Sequence, residues 1–139
     1  MKIFKAKELG ELFFYALYKC KSRWIVDELT EKTIRKIQND LKINLKNYKI
    51  EIHSDYLIHF LNSHFSETRK NQRSIRFSDI EKIGNVVNHY TTVILGNKDN
   101  TLLFKKNNPD GIFEFVVFVD DKKKILSGRS FRIKTYTDL

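Results

Sequence analysis

The sequence predicts an α+β fold, with N-terminal helices packed on a C-terminal twisted antiparallel β-sheet of about four to five strands. Two observations indicate this class. Apolar residues recur at steps of three and four in four segments before residue 90, which is the period of amphipathic helices. After residue 90 the chain is rich in Val, Ile, Phe and Thr, and the turn signals GNKDN, NNPDG and DDKK separate its apolar runs. Helices first and strands last is an order typical of α+β domains.

The composition predicts a single domain over residues 1–139, with a helical N-terminal part over about 1–47 and a core over 48–139. A chain of this length can bury a hydrophobic core without disulfides. Cys20 is the single cysteine, which excludes an internal disulfide and a multi-thiolate zinc site. The longest apolar run, LFFYALY over 12–18, is too short to cross a bilayer, and the N-terminus lacks a signal-peptide pattern. We therefore expect a soluble, cytoplasmic protein.

The charge favours a polyanionic partner. The net charge is +9, from 26 Lys and Arg against 17 Asp and Glu. Such an excess concentrates phosphate near the protein, so RNA, DNA and an anionic membrane surface are the partners to consider. A basic protein without such a partner is the alternative.

The first three elements follow from hydrophobic spacing. A helix is predicted over roughly 6–22, where the apolar stripe contains Leu9, Phe13, Leu17 and Cys20. A second helix is predicted from Thr30, because TEKT supplies a capping hydroxyl and Ile34, Ile37 and Leu41 follow at steps of three and four. The alternating run YKIEI, over 48–52, predicts a short strand.

The next segment, IHSDYLIHFLNSHF over 52–65, holds three of the four histidines. Ser54 or Asp55 can cap a helix that ends near Phe65. His64 falls on the apolar arc of that helix and His59 nearly opposite, since five residues turn the helix by about 140°. A zinc pair needs a spacing of four, so no metal site is predicted. For His53 and His89 we expect capping or surface roles.

A polar, basic segment follows, SETRKNQRSIR over 66–76, which includes Arg73. It is either a solvated connector or a flap that faces a substrate. Ser78 then caps a further helix that ends near 88–90, before the strands.

The order of these segments resembles a known superfamily. The runs IEIHSDYLIHFLNSHF, SDIEKIGNVVNHYTTVI, LLFKK, FEFVVFV and FRIKTYT are similar to the phage-associated nuclease domains of the barnase, EndoU, colicin and RelE-like (BECR) superfamily. The resemblance covers about residues 48–138. It implies a metal-independent endoribonuclease without a cofactor, from a toxin, phage or mobile element. In such enzymes the RNA 2′-hydroxyl attacks its adjacent phosphate.

The resemblance also implies site residues. His59 and His64 match the paired histidines of the superfamily and are candidates for base and acid in either order. Thr135 matches the hydroxyl of the terminal strand. Alternation along FRIKTYT puts Thr135 and Arg132 on opposite faces unless a bulge intervenes, so Tyr136 is a substitute beside Arg132. The candidate catalytic residues are His59, His64, Arg132 and Thr135, and the candidate substrate-binding residues are Lys105, Lys106, Arg129, Tyr136 and Arg73.

Three function classes remain open at this stage. The first is the ribonuclease. The second is a non-catalytic RNA- or DNA-binding module, and the third is a phage interaction protein whose basic surface binds an acidic partner. For the ribonuclease, we expect RNA, such as transfer RNA, as the substrate. By analogy with the superfamily, an acidic antitoxin or immunity protein is expected to cover the basic cleft.

Overall fold

A computed structural model describes residues 2–5, 21–65 and 72–136, apart from the side chains of Lys2 and residues 62–65. The helix predicted over 6–22 lies almost entirely outside the described residues. Within them the chain is α+β, as predicted. In chain order the elements are β1 (Lys2–Phe4), β2 (Ser22–Glu28), α1 (Glu31–Leu41), β3 (Lys49–His53), α2 (Ser54–Phe65), β4 (Gln72–Arg73), α3 (Phe77–Ile80), α4 (Ile83–Asn88), β5 (Thr92–Leu95), β6 (Thr101–Asn108), β7 (Gly111–Asp120) and β8 (Ile125–Lys134).

The sheet has eight strands within the described residues, so the expected four to five strands are too few. The strand order is β1-β2-β3-β8-β7-β6-β5, and β4 pairs with the same strand β8. Strands β5 to β8 form the predicted antiparallel meander. The sheet continues past β8 because β3 pairs with it in parallel and β2 then pairs with β3. Strand β2 lies in the N-terminal part that was expected to be helical.

Helix α1 has a capping residue at each end. At α1 the Thr30 hydroxyl accepts the backbone N–H of Thr33 at 3.2 Å, and the helix ends at Lys42, which has a φ of 60°. Helix α2 follows β3 directly and buries Leu57 and Phe60. The single helix predicted from Ser78 is two short helices, because residues 81 and 82 form a turn between α3 and α4.

The core lies on one face of the sheet. The ring of Phe131 is 6.2 Å from Phe60 of α2, and the rings of Phe113 and Phe115 lie at 6.0 and 6.1 Å from it. A Cβ atom at Gly128 would lie 2.9 Å from the Phe115 ring, so this strand position requires glycine. No helix in the described segments is long and apolar enough to span a membrane.

The opposite face, which we call the polar face, carries Lys105, Glu114, Arg129, Arg132 and Lys134. A β-bulge in β8 shapes it: Val116 pairs with Ser130 and Val117 with Gly128, so Arg129 is the extra residue. A bulge of this type turns two successive side chains to one side of the sheet. Arg129 and Ser130 therefore both join the polar face.

Candidate active site

A buried carboxylate lies at the centre of the polar face. Glu114 is 2% exposed. The strand register pairs it with Lys105 on β6 and with Arg132 on β8. Its carboxylate accepts a hydrogen bond from Arg132 Nε at 2.8 Å, and it lies 3.3 Å from Lys105 Nζ and 3.5 Å from Lys134 Nζ. Cross-strand pairing of opposite charges thus holds three cations around one acid.

Glu114 is charged at neutral pH. Burial raises the pKa of its carboxyl, but the charges of Lys134, Arg132 and Lys105 outweigh burial and hold that pKa below its ordinary value. The three cations outnumber the one carboxylate, and their side chains are 37–42% exposed. The cluster therefore keeps a positive charge that a phosphate can reach.

Arg129 is held rigidly beside this cluster. Its guanidinium lies between two aromatic rings, 4.9 Å from the centre of Tyr56 and 5.2 Å from the centre of Phe118. Arg129 Nη1 also donates a hydrogen bond of 2.5 Å to the Tyr56 hydroxyl. Its Nε is buried and lacks a hydrogen-bond partner among the described residues. Stacking fixes the plane of a guanidinium while its edge stays able to bind an anion.

Two cavities meet at Arg129 and Tyr56, and we call them together the groove. The first, of about 580 Å³, extends toward β5 and β6 and is also lined by Phe118 and Arg132. The second, of about 500 Å³, extends toward β2 and β3 and is also lined by His53. A third cavity, of about 450 Å³ beside α1, contains none of the polar-face cations. The groove is therefore the concave region that Arg129 and Arg132 both line.

Of the three histidines with described side chains, His53 lines the groove, whereas His59 and His89 line neither of its cavities. His53 lines the second cavity, and its Nδ1 accepts the backbone N–H of Asp55 at 3.1 Å, which agrees with the predicted capping role. His59 is exposed on α2, three residues after Tyr56, and lines neither cavity. Residues three apart share one side of a helix, so His59 follows Tyr56 along that side. The side chain of His64 lies outside the described residues.

The structure separates the two adjacent lysines of β6. Lys105 is on the polar face and contacts Glu114. Lys106 is on the other face, where its Nζ donates to the backbone carbonyl of His89 at 3.0 Å. Of this pair, only Lys105 belongs to the charged cluster.

The remaining predicted residues lie toward the end of β8. The Tyr136 hydroxyl donates to the backbone carbonyl of Asn108 at 2.9 Å, and Thr135 is half-buried just after β8. The guanidinium of Arg73 donates to Asp79 at 2.8 and 2.9 Å and to Asp110 at 2.7 Å. Arg73 thus holds two carboxylates, and its role in substrate binding stays a prediction. Within the described ranges no group of three potential ligand residues could hold a metal ion.

Sequence reasoning missed the residues that organise the groove. Tyr56 was assigned only to the histidine helix, and Glu114 and Phe118 only to the run FEFVVFV. Their roles depend on which side chains of neighbouring strands stand opposite one another. The alternation of Phe113, Glu114 and Phe115 is a visible signal, because a carboxylate between two aromatic residues in a strand faces away from the core.

A comparison with protein-family models completes this picture. The model described as phage-Barnase-EndoU-ColicinE5/D-RelE like nuclease3 (PBECR3) matches residues 28–138. The comparisons with curated proteins and with solved structures gave no match. The matched range contains Tyr56, Glu114, Arg129 and Arg132. The chain therefore belongs to the phage-associated Barnase-EndoU-ColicinE5/D-RelE like nuclease family.

Proposed function

We propose that this nuclease is a metal-independent endoribonuclease, acting as a toxin or a phage or mobile-element nuclease, that cleaves RNA by transesterification. The 2′-oxygen of one nucleotide bonds to the adjacent phosphorus, and the bond from phosphorus to the 5′-oxygen breaks. The products are a 2′,3′-cyclic phosphate and a 5′-hydroxyl. The observation that carries the proposal is the stacked Arg129 beside the charged cluster of Arg132, Lys105 and Lys134, in a chain of a nuclease family.

In this proposal Arg129 and Arg132 bind the scissile phosphate. Both line the first cavity, and a guanidinium can bind two phosphate oxygens at once. Fixed cations stabilise the charge that develops on phosphorus-bound oxygens without reorganising during the reaction. They can supply the charge stabilisation that other nucleases obtain from a metal ion. Lys105 and Lys134 extend the positive surface along the RNA backbone, and Thr135 and Tyr136 are further candidates for phosphate contacts.

The proposed proton transfers are assigned to His59 and His64. One imidazole accepts the proton of the 2′-hydroxyl, and the other donates a proton to the departing 5′-oxygen. The exposure of His59, and its position on the same side of α2 as Tyr56, support access to RNA bound at Arg129. His53 is a third candidate, because it lines the second cavity together with Arg129.

Cleavage of total cellular RNA by single-histidine variants tests this proposal. Wild type, His59→Ala, His64→Ala and His53→Ala are incubated with RNA in EDTA. His89→Ala is the matched control, because His89 lies at the end of α4 beside Lys106 and not on α2 or β3. We expect wild type and His89→Ala to cleave, and loss of cleavage of about 100-fold or more in the variant of each proton-transfer residue. If all four variants cleave like wild type, histidine catalysis is wrong. If wild type binds RNA with a steep salt dependence but leaves it intact, the protein is a non-catalytic binding module.

The proposal extends to two partners. RNA, such as transfer RNA, is the proposed substrate, because the groove combines cations with aromatic side chains. An acidic antitoxin or immunity protein is proposed as a regulator that covers the groove, since the net charge of +9 favours fast capture by an acidic surface. Such a protein is expected to compete with RNA for the groove. It is also expected to bind the Arg129→Ala variant more weakly than wild type.

A further inference from the structure

The first cavity of the groove has an apolar floor that the phosphate contacts do not use. Ile94, Leu103 and Val116 stand opposite one another on β5, β6 and β7, and Val116 is paired in turn with Ser130 on β8. These side chains form a row that runs across the polar face and ends beside Arg129. The row is solvent-accessible at its outer end, where Ile94 is 48% exposed.

The position of this row matches one chemical class of occupant. It is bounded on one side by Arg129 and Arg132, which suit a phosphate, and on the other by Asn97 and Asp99 of the β5–β6 turn, which also line the cavity. A nucleotide has the same sequence of groups: an anionic phosphate, a flat apolar face and a polar edge. Aliphatic and aromatic side chains pack on the face of a base, and amide and carboxylate groups can hydrogen-bond its edge.

The size of the cavity agrees with this occupant. Its volume of about 580 Å³ lies within the range of small-molecule sites, about 300–1,000 Å³. A base stacked inside a duplex cannot enter a cavity of this kind, whereas an unstacked base of a loop or single strand can. A neutral lipid or an apolar peptide would leave the adjacent guanidinium groups without an anion.

We infer that the first cavity binds the unstacked base next to the phosphate held by Arg129, and that the enzyme thereby selects single-stranded RNA. This inference rests on the proposed function, since it requires RNA in the groove. Ile94, Leu103 and Val116 are then specificity-determining residues, and Asn97 and Asp99 face the polar edge of the base.

Binding of 2′-O-methyl oligonucleotides tests the inference separately from cleavage, because the methyl group removes the attacking hydroxyl. Fluorescence anisotropy is measured with a single strand, with the same strand in a duplex, and with a strand in which one nucleotide lacks its base. The variants are Ile94→Asp and, as matched control, Thr92→Asp. Both residues are exposed on the polar side of β5 and receive the same charge, but only Ile94 lines the cavity. Leu95→Asp is a second cavity variant, and thermal melting of each variant checks folding.

The expected results follow from the cost of losing one stacked base, about 10-fold in affinity. Wild type binds the single strand at least about 10-fold more tightly than the duplex, and removal of one base weakens binding by a similar factor. Ile94→Asp and Leu95→Asp lose this preference, whereas Thr92→Asp keeps it. If wild type binds and cleaves RNA but Ile94→Asp behaves like Thr92→Asp, the base site is wrong and the proposed function stands. If wild type neither binds nor cleaves RNA, both are wrong.

Discussion

The buried Glu114 gives the sharpest prediction about how the polar face is held together. Glu114→Gln preserves the shape of the side chain but removes its charge, so Lys105, Arg132 and Lys134 lose their common partner. Breaking a fully buried ion pair costs about 3–5 kcal/mol. The side chain of Glu114 is 3% exposed, but the side chains of its partners are 37–42% exposed, so water compensates part of this loss. We therefore expect a loss of about 1–3 kcal/mol in the free energy of unfolding at pH 7.

The loss of stability in Glu114→Gln is expected to depend on pH, in a direction set by the lowered pKa of Glu114. The folded pKa of Glu114 is below its ordinary value of 4.5, so the carboxylate stabilises the fold above pH 4.5. This contribution is lost as the pH falls through the lower folded pKa. The difference between wild type and Glu114→Gln is thus largest at pH 7 and shrinks as the pH is lowered toward 3.

Urea denaturation at pH 7 and pH 3 measures the loss of stability and its pH dependence. Equal slopes of unfolding free energy against urea concentration confirm that the variants unfold in a comparable transition. Glu51→Gln is the matched control, because Glu51 has a single described ion pair, with Arg23 at 3.2 Å. We expect that control to cost less than about 1 kcal/mol. An equal loss for Glu114→Gln at both pH values, or an equal loss in the control, would refute the reasoning.

Further predictions concern residues with matched neighbours. Asp79→Asn should cost about 3 kcal/mol of unfolding free energy at pH 7, and Asp110→Asn less than about 1 kcal/mol, because the two share one guanidinium but are 2% and 52% exposed. Urea denaturation checks this, and equal losses would contradict it. Lys105→Ala should lower the slope of log affinity for RNA against log salt by about one, whereas Lys106→Ala leaves the slope unchanged; equal slopes would remove Lys105 from the interface. Arg129→Lys should weaken RNA binding by about 10-fold, because an ammonium cannot stack between two rings or bind two oxygens; unchanged affinity would exclude Arg129 as the phosphate contact.

The elements with strong periodic patterns could be predicted from the sequence. The helices after Thr30 and Ser54 and the C-terminal meander all combine a clear period with capping or turn residues. Strand β2 also alternates, with Ser22, Trp24 and Val26 buried. It was missed because it lies between two helical patterns, and its assignment depends on pairing with β3, which is distant along the chain.

The site was less predictable than the fold because it depends on register. Alternation separates Lys105 from Lys106, but only the pairing with β7 decides which of them meets Glu114. The bulge adds one residue to β8 and brings Arg129 and Ser130 to the same face, which no local pattern indicates. Arg129 and Arg132 were identified from the resemblance, whereas the Tyr56 and Phe118 rings that orient Arg129 come from elements far apart in the sequence.

The chemistry of the cut ends tests the central claim most directly. Wild-type protein is incubated with a defined RNA in EDTA, and the fragments are analysed by mass spectrometry. Fragments with a 2′,3′-cyclic phosphate on one side and a 5′-hydroxyl on the other, formed equally with and without EDTA, are the predicted result. Fragments with a 3′-hydroxyl and a 5′-phosphate, or cleavage that EDTA abolishes, would contradict metal-independent transesterification in this groove.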